Sequence, residues 1–354
     1  MFHQLNPIML KNYLTTAIRN IFKNKLTTII NILGLGIGVG VFSLIALYIF
    51  NEKHVDKSIP NSSRMYRIEV DDWSIVPVGY YKYFDEICPD IENTVLVGYY
   101  DFMNSPIKVG EIFFRSENIY TTSPNIFKTF GLKVIQGDPE KLLSEPFSIV
   151  LTESYAHKLF GNANPMGQII RISEKFDYKV TGIIKDIKDL HFSCNALTSV
   201  EDLPALRNSP NILRQLNASN YGCYIVLNNN INKSKVEKEI TAFLKERVYK
   251  DDKFNLKLRS VSDIYFNGSE SRFEGIVKHG NGKFLNVMML VAALILLTAS
   301  INYINLNTAL ASKRAKEIGI RKISGANRGK LILQILSESL IISLLAVMIG
   351  IAIT

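Results

Sequence analysis

Residues 26–50, LTTIINILGLGIGVGVFSLIALYIF, carry no charged side chain. At about 1.5 Å per residue a helix of that length reaches about 37 Å, enough to cross a hydrocarbon core of roughly 30 Å. A segment in lipid must satisfy its own backbone hydrogen bonds, so this run predicts a transmembrane helix. A second uncharged stretch covers 284–311, and a third runs from Leu331 to Thr354, broken only by Glu338. A cleaved leader does not account for the first run. Leaders have apolar cores of about 7–15 residues followed by small residues, whereas Asn51-Glu52-Lys53-His54 follows here.

Charge sets the orientation. Of the net +9, residues 1–25 hold Lys11, Arg19, Lys23 and Lys25 with no acid, and 312–330 hold seven basic residues against Glu317. The block 51–283 is neutral, with 30 basic and 30 acidic residues. Basic connections stay cytoplasmic, so the N-terminus and 312–330 are expected inside and 51–283 outside, in a multi-pass membrane protein. An excess charge confined to two segments flanking apolar spans also argues against a nucleic-acid partner.

Two features refine the membrane part. Leu10, Tyr13, Leu14, Ala17, Ile18, Ile21 and Phe22 recur at one-face helical spacing, with Lys11, Thr15, Arg19 and Lys23 opposite. That pattern predicts an amphipathic helix over 1–25 lying in the headgroups, with membrane lipid as its partner. Gly34, Gly36, Gly38 and Gly40 sit inside the first span, so they do not form a dinucleotide loop, which needs a strand before it. They make two overlapping small-xxx-small pairs, Gly34/Gly38 and Gly36/Gly40, suited to close helix packing.

The outer block reads as α+β. Met65–Val70, Phe147–Leu151, Gln168–Ile172 and Tyr178–Ile184 look like strands, and Glu153–Phe160 and Lys233–Val248 look helical. Its size suits two lobes, with a junction or loop in the irregular stretch 186–222. No catalytic constellation stands out. The five histidines are scattered, and His191 with Cys194 is the one pair at zinc-ligand spacing. No metal or other cofactor is expected. Cys88, Cys194 and Cys223 would lie in an oxidising compartment, which allows one disulfide and one free thiol. Gly325-Ala326-Asn327-Arg328-Gly329-Lys330-Leu331 misses a phosphate loop by one residue of spacing and by the hydroxyl after lysine. The chain is therefore not read as an ATPase or any other enzyme.

Read from its residues, 312–330 is the cytoplasmic end of one membrane helix, a turn at Ser324-Gly325-Ala326 and the start of the next helix, a short cationic return through the bilayer. Its wording is more particular. Ser312-Lys313-Arg314-Ala315-Lys316-Glu317-Ile318-Gly319-Ile320-Arg321-Lys322, then Ser324-Gly325-Ala326 and Ser337-Glu338-Ser339-Leu340, resembles the MacB-like/FtsX-like permease family of ABC transporters. Leu10–Lys25, Tyr120–Gly137, Ser148–Gly167 and Tyr178–His191 resemble that family as well.

The three transmembrane α-helices with a large α+β extracytoplasmic domain between the first and second match the family's order, and the resemblance implies a bacterial inner membrane with a MacB-like core over 51–283 in the periplasm. The implied divisions are an interfacial helix 1–25, a first span 26–50, a core 51–283, and a partial FtsX-like region 284–354. That last region would hold a span at about 286–309, a coupling loop 312–330 and a span at about 331–354. The resemblance further implies a separate cytoplasmic ATPase subunit touched by Lys313, Arg314, Glu317, Ile318, Gly319, Ile320, Arg321, Lys322, Gly325 and Ala326. A homodimer or heterodimer of permeases and a periplasmic adaptor are implied partners. The family unit has four helices, so the expectation is a fragment or a chain whose fourth helix is lost. The function implied is ATP-driven export or extraction of a peptide, lipoprotein or antimicrobial. The alternative is an FtsX-like regulator of a cell-wall hydrolase.

Overall fold

A computed structural model describes residues 15, 19, 25–98, 101–217, 219–250, 253–267, 272, 277–323 and 328–354. It divides into two compact units, 1–53 with 281–354, and 54–280.

The first unit is built from three long helices, α1 (Lys25–His54), α8 (Gly282–Ile323) and α9 (Arg328–Ile353). Three stretches, Lys25–His54, Gly282–Leu310 and Leu331–Ile353, are long and apolar enough to cross a membrane. Leu290, Leu294, Leu297, Ile301 and Ile304 form an exposed apolar stripe on α8, and Leu336, Leu340, Leu344 and Met348 do so on α9. In water such stripes would be a liability, but in lipid they are the outer surface. The amphipathic helix read over 1–25 lies outside the described residues apart from Thr15 and Arg19, both helical and exposed.

The second unit is α+β. Its strands are β1 (Met65–Val70), β2 (Val76–Pro77), β3 (Ile91–Gly98), β4 (Pro106–Val109), β5 (Ile112–Arg115), β6 (Ile119–Thr122) and β7 (Val134–Gln136). They continue with β8 (Ser148–Thr152), β9 (Ile169–Ile172), β10 (Phe176–Ile184), β11 (Ala196–Ser199), β12 (Ser219–Leu227) and β13 (Leu256–Ser260). All join one sheet in the order β13-β1-β12-β3-β6-β11-β8-β10-β9-β4-β5, with β2 on β12 and β7 on β10. Pairing is antiparallel except for β6 with β11 and β8 with β10. Where two lobes were expected, the sheet is continuous, although β3 and β6 share only Val97↔Thr122 and Gly98↔Thr121.

The middle of the sheet buries both faces, which is why β8 and β12 read as near-continuous apolar runs, while β9 toward the edge alternates exposed and buried residues. On β12, Tyr221, Cys223, Ile225 and Leu227 enter one core while Tyr224 and Val226 enter another, the two-residue alternation of an extended chain. The first of these cores is covered by α2 (Tyr80–Ile87) and α6 (Lys233–Arg247). Val236, Ile240 and Leu244, four apart on α6, are buried there, and Asn232 caps the helix by accepting from Ser234 N. Around β8 the faces also separate, Val150 into one core and Ile149 with Leu151 into a third.

Candidate functional site

The alternate glycines of α1 face two different helices. A Cβ placed on Gly38 would lie 2.6 Å from Ala299 Cβ, and one on Gly34 would lie 3.6 Å from Asn302 Nδ2, both on α8. A Cβ on Gly36 would lie 3.2 Å from the Ala346 carbonyl, and one on Gly40 would lie 3.2 Å from the Gly350 carbonyl, both on α9. Gly350 answers from α9, its own hypothetical Cβ lying 3.1 Å from Gly36 O and from Gly40 N. Contacts rise in step along α1 and α9 and in opposite order along α1 and α8. The helices thus alternate in direction, as three consecutive crossings must. Small residues serve here because lipid supplies little hydrophobic drive for helix association, leaving close packing to do it.

The basic segment continues the helix of the second span, as its residues predict, within the region 312–330 that the resemblance implied as a coupling loop. α8 runs 42 residues, Gly282–Ile323, without interruption, about 63 Å at helical rise. Its apolar part ends at Leu310, so Lys313, Arg314, Glu317, Ile318, Gly319, Ile320, Arg321 and Lys322 all lie on a helical extension roughly four turns long. The physical reason is propensity, since Ala, Lys, Arg and Glu dominate the segment. Gly319 has open space where a Cβ would go, and Ile320 and Ile323 are 59% and 89% exposed. Gly325 and Ala326 lie outside the described residues. Two polar positions in the spans are buried, Asn31 at 2% and Glu338 at 8% exposure; sequence reasoning passed over Asn31 and took Glu338 only as a break in the third run and part of the family wording. Their signal was simply a polar residue within an apolar run.

In the outer unit the chain leaving α1 and the chain approaching α8 meet at one short segment. Asp56 N donates to Asp189 O at 2.8 Å, and Lys278 N donates to His191 O at 2.6 Å, while Phe192 bridges Val277. His191 is fully buried, and its backbone N and its Nδ1 both contact Asp56 Oδ1, at 2.8 and 2.9 Å. Its Nε2 lies 2.8 Å from the Tyr224 hydroxyl, and Phe130 and Phe192 pack against the ring. A carboxylate only accepts, so Nδ1 donates to Asp56, and in the neutral imidazole Nε2 accepts from the Tyr224 hydroxyl.

Both ring nitrogens are thereby engaged, which removes His191 from the zinc pairing with Cys194. Among the described residues no three His, Cys, Asp or Glu side chains form a metal-sized group. Cys88, Cys194 and Cys223 are all buried and free, so the disulfide allowed by the compartment is not formed. Burial pushes the Cys194 thiol up to about 12, and burial together with its bond to Glu239 pushes Cys88 up to about 11. Neither is an activated nucleophile.

Comparison with known proteins places this geometry. The MacB-like periplasmic core domain family matches residues 28–243, and the FtsX-like permease C-terminal family matches 289–354. The macrolide export ATP-binding/permease protein MacB of Aggregatibacter actinomycetemcomitans is 26% identical over 250 residues, 69% of this chain and 36% of that protein. The protein of the same name from Neisseria meningitidis serogroup A is 22% identical over 362 residues, 96% of this chain and 51% of its own length. The chain thus spans about half or less of the length of these relatives. A crystallised permease-protein domain from Porphyromonas gingivalis superposes with a TM-score of 0.50 at 15% identity, covering 65% of this chain and 99% of that domain.

Proposed function

Because the chain belongs to the family of the MacB-like periplasmic core domain, an inner-membrane protein with a periplasmic segment, we propose that it is the permease subunit of an ABC-type complex. A separate cytoplasmic ATPase changes shape with its nucleotide state and pushes on the helical extension 311–323. The motion enters the periplasmic unit where residues 189–192 grip both of its connections to the membrane. The observation that carries this reading is the unbroken helix Gly282–Ile323, which joins a membrane span rigidly to a cationic end with an open glycine and exposed isoleucines. Lys313, Arg314, Glu317, Arg321 and Lys322 supply charge complementarity, Ile318 and Ile320 an apolar anchor, and Gly319 with Gly325 and Ala326 close approach. Coupling requires that this contact be stronger in one nucleotide state than in the other. Relatives named for macrolide and syringafactin export support export of a peptide, lipoprotein or antimicrobial as the task; a homodimer or heterodimer of permeases and a periplasmic adaptor complete the proposal.

Two expected results test the reading. Orientation is checked by thiol labelling in a cysteine-free background. A cysteine at Ser269 reacts from outside intact cells, and one at Ser324 reacts only after permeabilisation; labelling of Ser324 from outside would overturn the topology. For the contact itself, Glu317→Lys should lower co-purification of the ATPase by about tenfold to several-hundredfold, the range for a reversed interfacial charge. Insertion should be unharmed, because the change strengthens the cytoplasmic positive charge. Gly319→Leu should act similarly through bulk, and Arg328→Ala serves as the milder control. Unchanged ATPase recovery with both Glu317→Lys and Gly319→Leu would reduce the segment to a topogenic charge cluster.

A further inference from the structure

At the end of β1 the chain makes a tight turn, with Trp73 N donating to Val70 O at 3.0 Å and Val70 N to Trp73 O at 3.1 Å. Asp71 takes a left-handed backbone there, φ 55°. Beside this turn opens a cavity of about 190 Å³ lined by Val70, Asp71, Trp73, Val76, Tyr80 and Tyr249, among others. Three of these side chains are aromatic, and of the charged side chains among the described residues only Asp71 lines the cavity.

The lining is held in place from behind. Asp71 N donates to Asn255 O at 2.7 Å, and Asn255 N returns a bond to Asp71 Oδ1 at 2.9 Å. Tyr249 stacks on Phe254 with ring centroids 4.4 Å apart, and Tyr80 packs on Phe84 at 4.8 Å. Aromatic rings around a single carboxylate attract a cation through their quadrupoles and through its charge, and they repel an anion. The volume falls below the roughly 300–1,000 Å³ of pockets for drug-sized ligands, so the cavity suits one cationic group and not the whole of a large molecule.

We propose that this cavity binds an organic ammonium group, seated against Asp71 and enclosed by Trp73, Tyr80 and Tyr249. The site is independent of the ATPase contact argued above. It is connected to the membrane tether, because Arg272 N donates to Asp72 O, and Ser74 N and Oγ both donate to Arg272 O, at 3.2 and 2.9 Å. An occupant pressing on the Trp73 turn therefore also presses on the backbone of Arg272, which precedes α8 in the chain.

Trp73 is the only tryptophan in the chain, and at 39% exposure it reports directly on the cavity. The test titrates the full chain in detergent with tetramethylammonium, n-butylammonium and the neutral isostere tert-butanol, against sodium chloride at equal ionic strength. The expected result is a saturable change in Trp73 emission with an ammonium ion and none with tert-butanol or sodium. Stronger response to tetramethylammonium would identify a methylated amine as the occupant, and stronger response to n-butylammonium a primary amine. Asp71→Asn keeps the acceptor for Asn255 N and should weaken ammonium binding about tenfold, with Tyr249→Leu weakening it several-fold. Equal binding of tert-butanol, an unaltered Asp71→Asn titration, or no saturable change with either ammonium ion would overturn the proposal.

Discussion

Replacing His191 with leucine is expected to destabilise the periplasmic unit by roughly 3 kcal/mol, a large part of the 5–15 kcal/mol that holds a typical domain folded. The imidazole is fully buried, and its Nδ1 lies 2.9 Å from Asp56 Oδ1. Asp56 is itself buried, at 3% exposure, and its Oδ2 has no hydrogen-bond partner. Leucine fills most of the space but strips the carboxylate of its side-chain donor. Removing one member of a buried polar pair costs more than the pair contributes, because the survivor stays desolvated. Urea unfolding followed by Trp73 emission reads the loss. Tyr224→Phe, which deletes only a hydroxyl, should cost about 1 kcal/mol by the same measurement. If His191→Leu unfolds at the wild-type midpoint, residues 189–192 do not hold the two tethers, and the route proposed for motion into the periplasmic unit fails with them.

How much of this was legible beforehand depended on the range of the interaction. The three spans could be read because an uncharged stretch of more than twenty residues has few other fates. Glu153–Phe160 was readable to the residue, since its apolar spacing and the following Gly161 are local signals. The stretch 186–222 was not. Its Asn- and Ser-rich wording suggested a junction, yet Ala196–Ser199 lies between β6 and β8 in the middle of the sheet. Nothing local distinguishes a four-residue central strand, whose stability comes from partners more than forty residues away. His191 shows the same limit. Its spacing from Cys194 was visible, while Asp56 and Tyr224, 135 and 33 residues away in the chain, were not, and those two decide its role. By contrast, the helical end over 312–323 was legible, since a run rich in Ala, Lys, Arg and Glu favours helix and continues a membrane span to Ile323.

The largest effect in the membrane unit is expected at Gly38. A leucine there must place its Cβ 2.6 Å from Ala299 Cβ, closer than two carbons can approach, and the rest of the side chain lies beyond. The neighbour is a methyl on a helix and has no flexible end to move, so α1 and α8 must separate. Overpacking of this kind costs about 1–3 kcal/mol in soluble cores. In lipid, where packing contributes most of helix association, no hydrophobic gain offsets the separation. Even Gly38→Ala should destabilise, whereas Gly34→Ala should be tolerated, because its methyl would meet Asn302 Nδ2 at an ordinary 3.6 Å. Thermal denaturation of the detergent-solubilised chain, followed by helicity, ranks the three variants. Gly319→Leu is the internal reference. It makes the same substitution in open space on the same unit, and leucine's better helix propensity should leave stability equal or raised by up to about 1 kcal/mol. The two leucines therefore separate fold from function: Gly38→Leu should lower the melting temperature, whereas Gly319→Leu should keep it and lose the ATPase. If Gly38→Leu melts with Gly319→Leu, the α1–α8 seam is not a packed contact, and the glycines of the first span need another explanation.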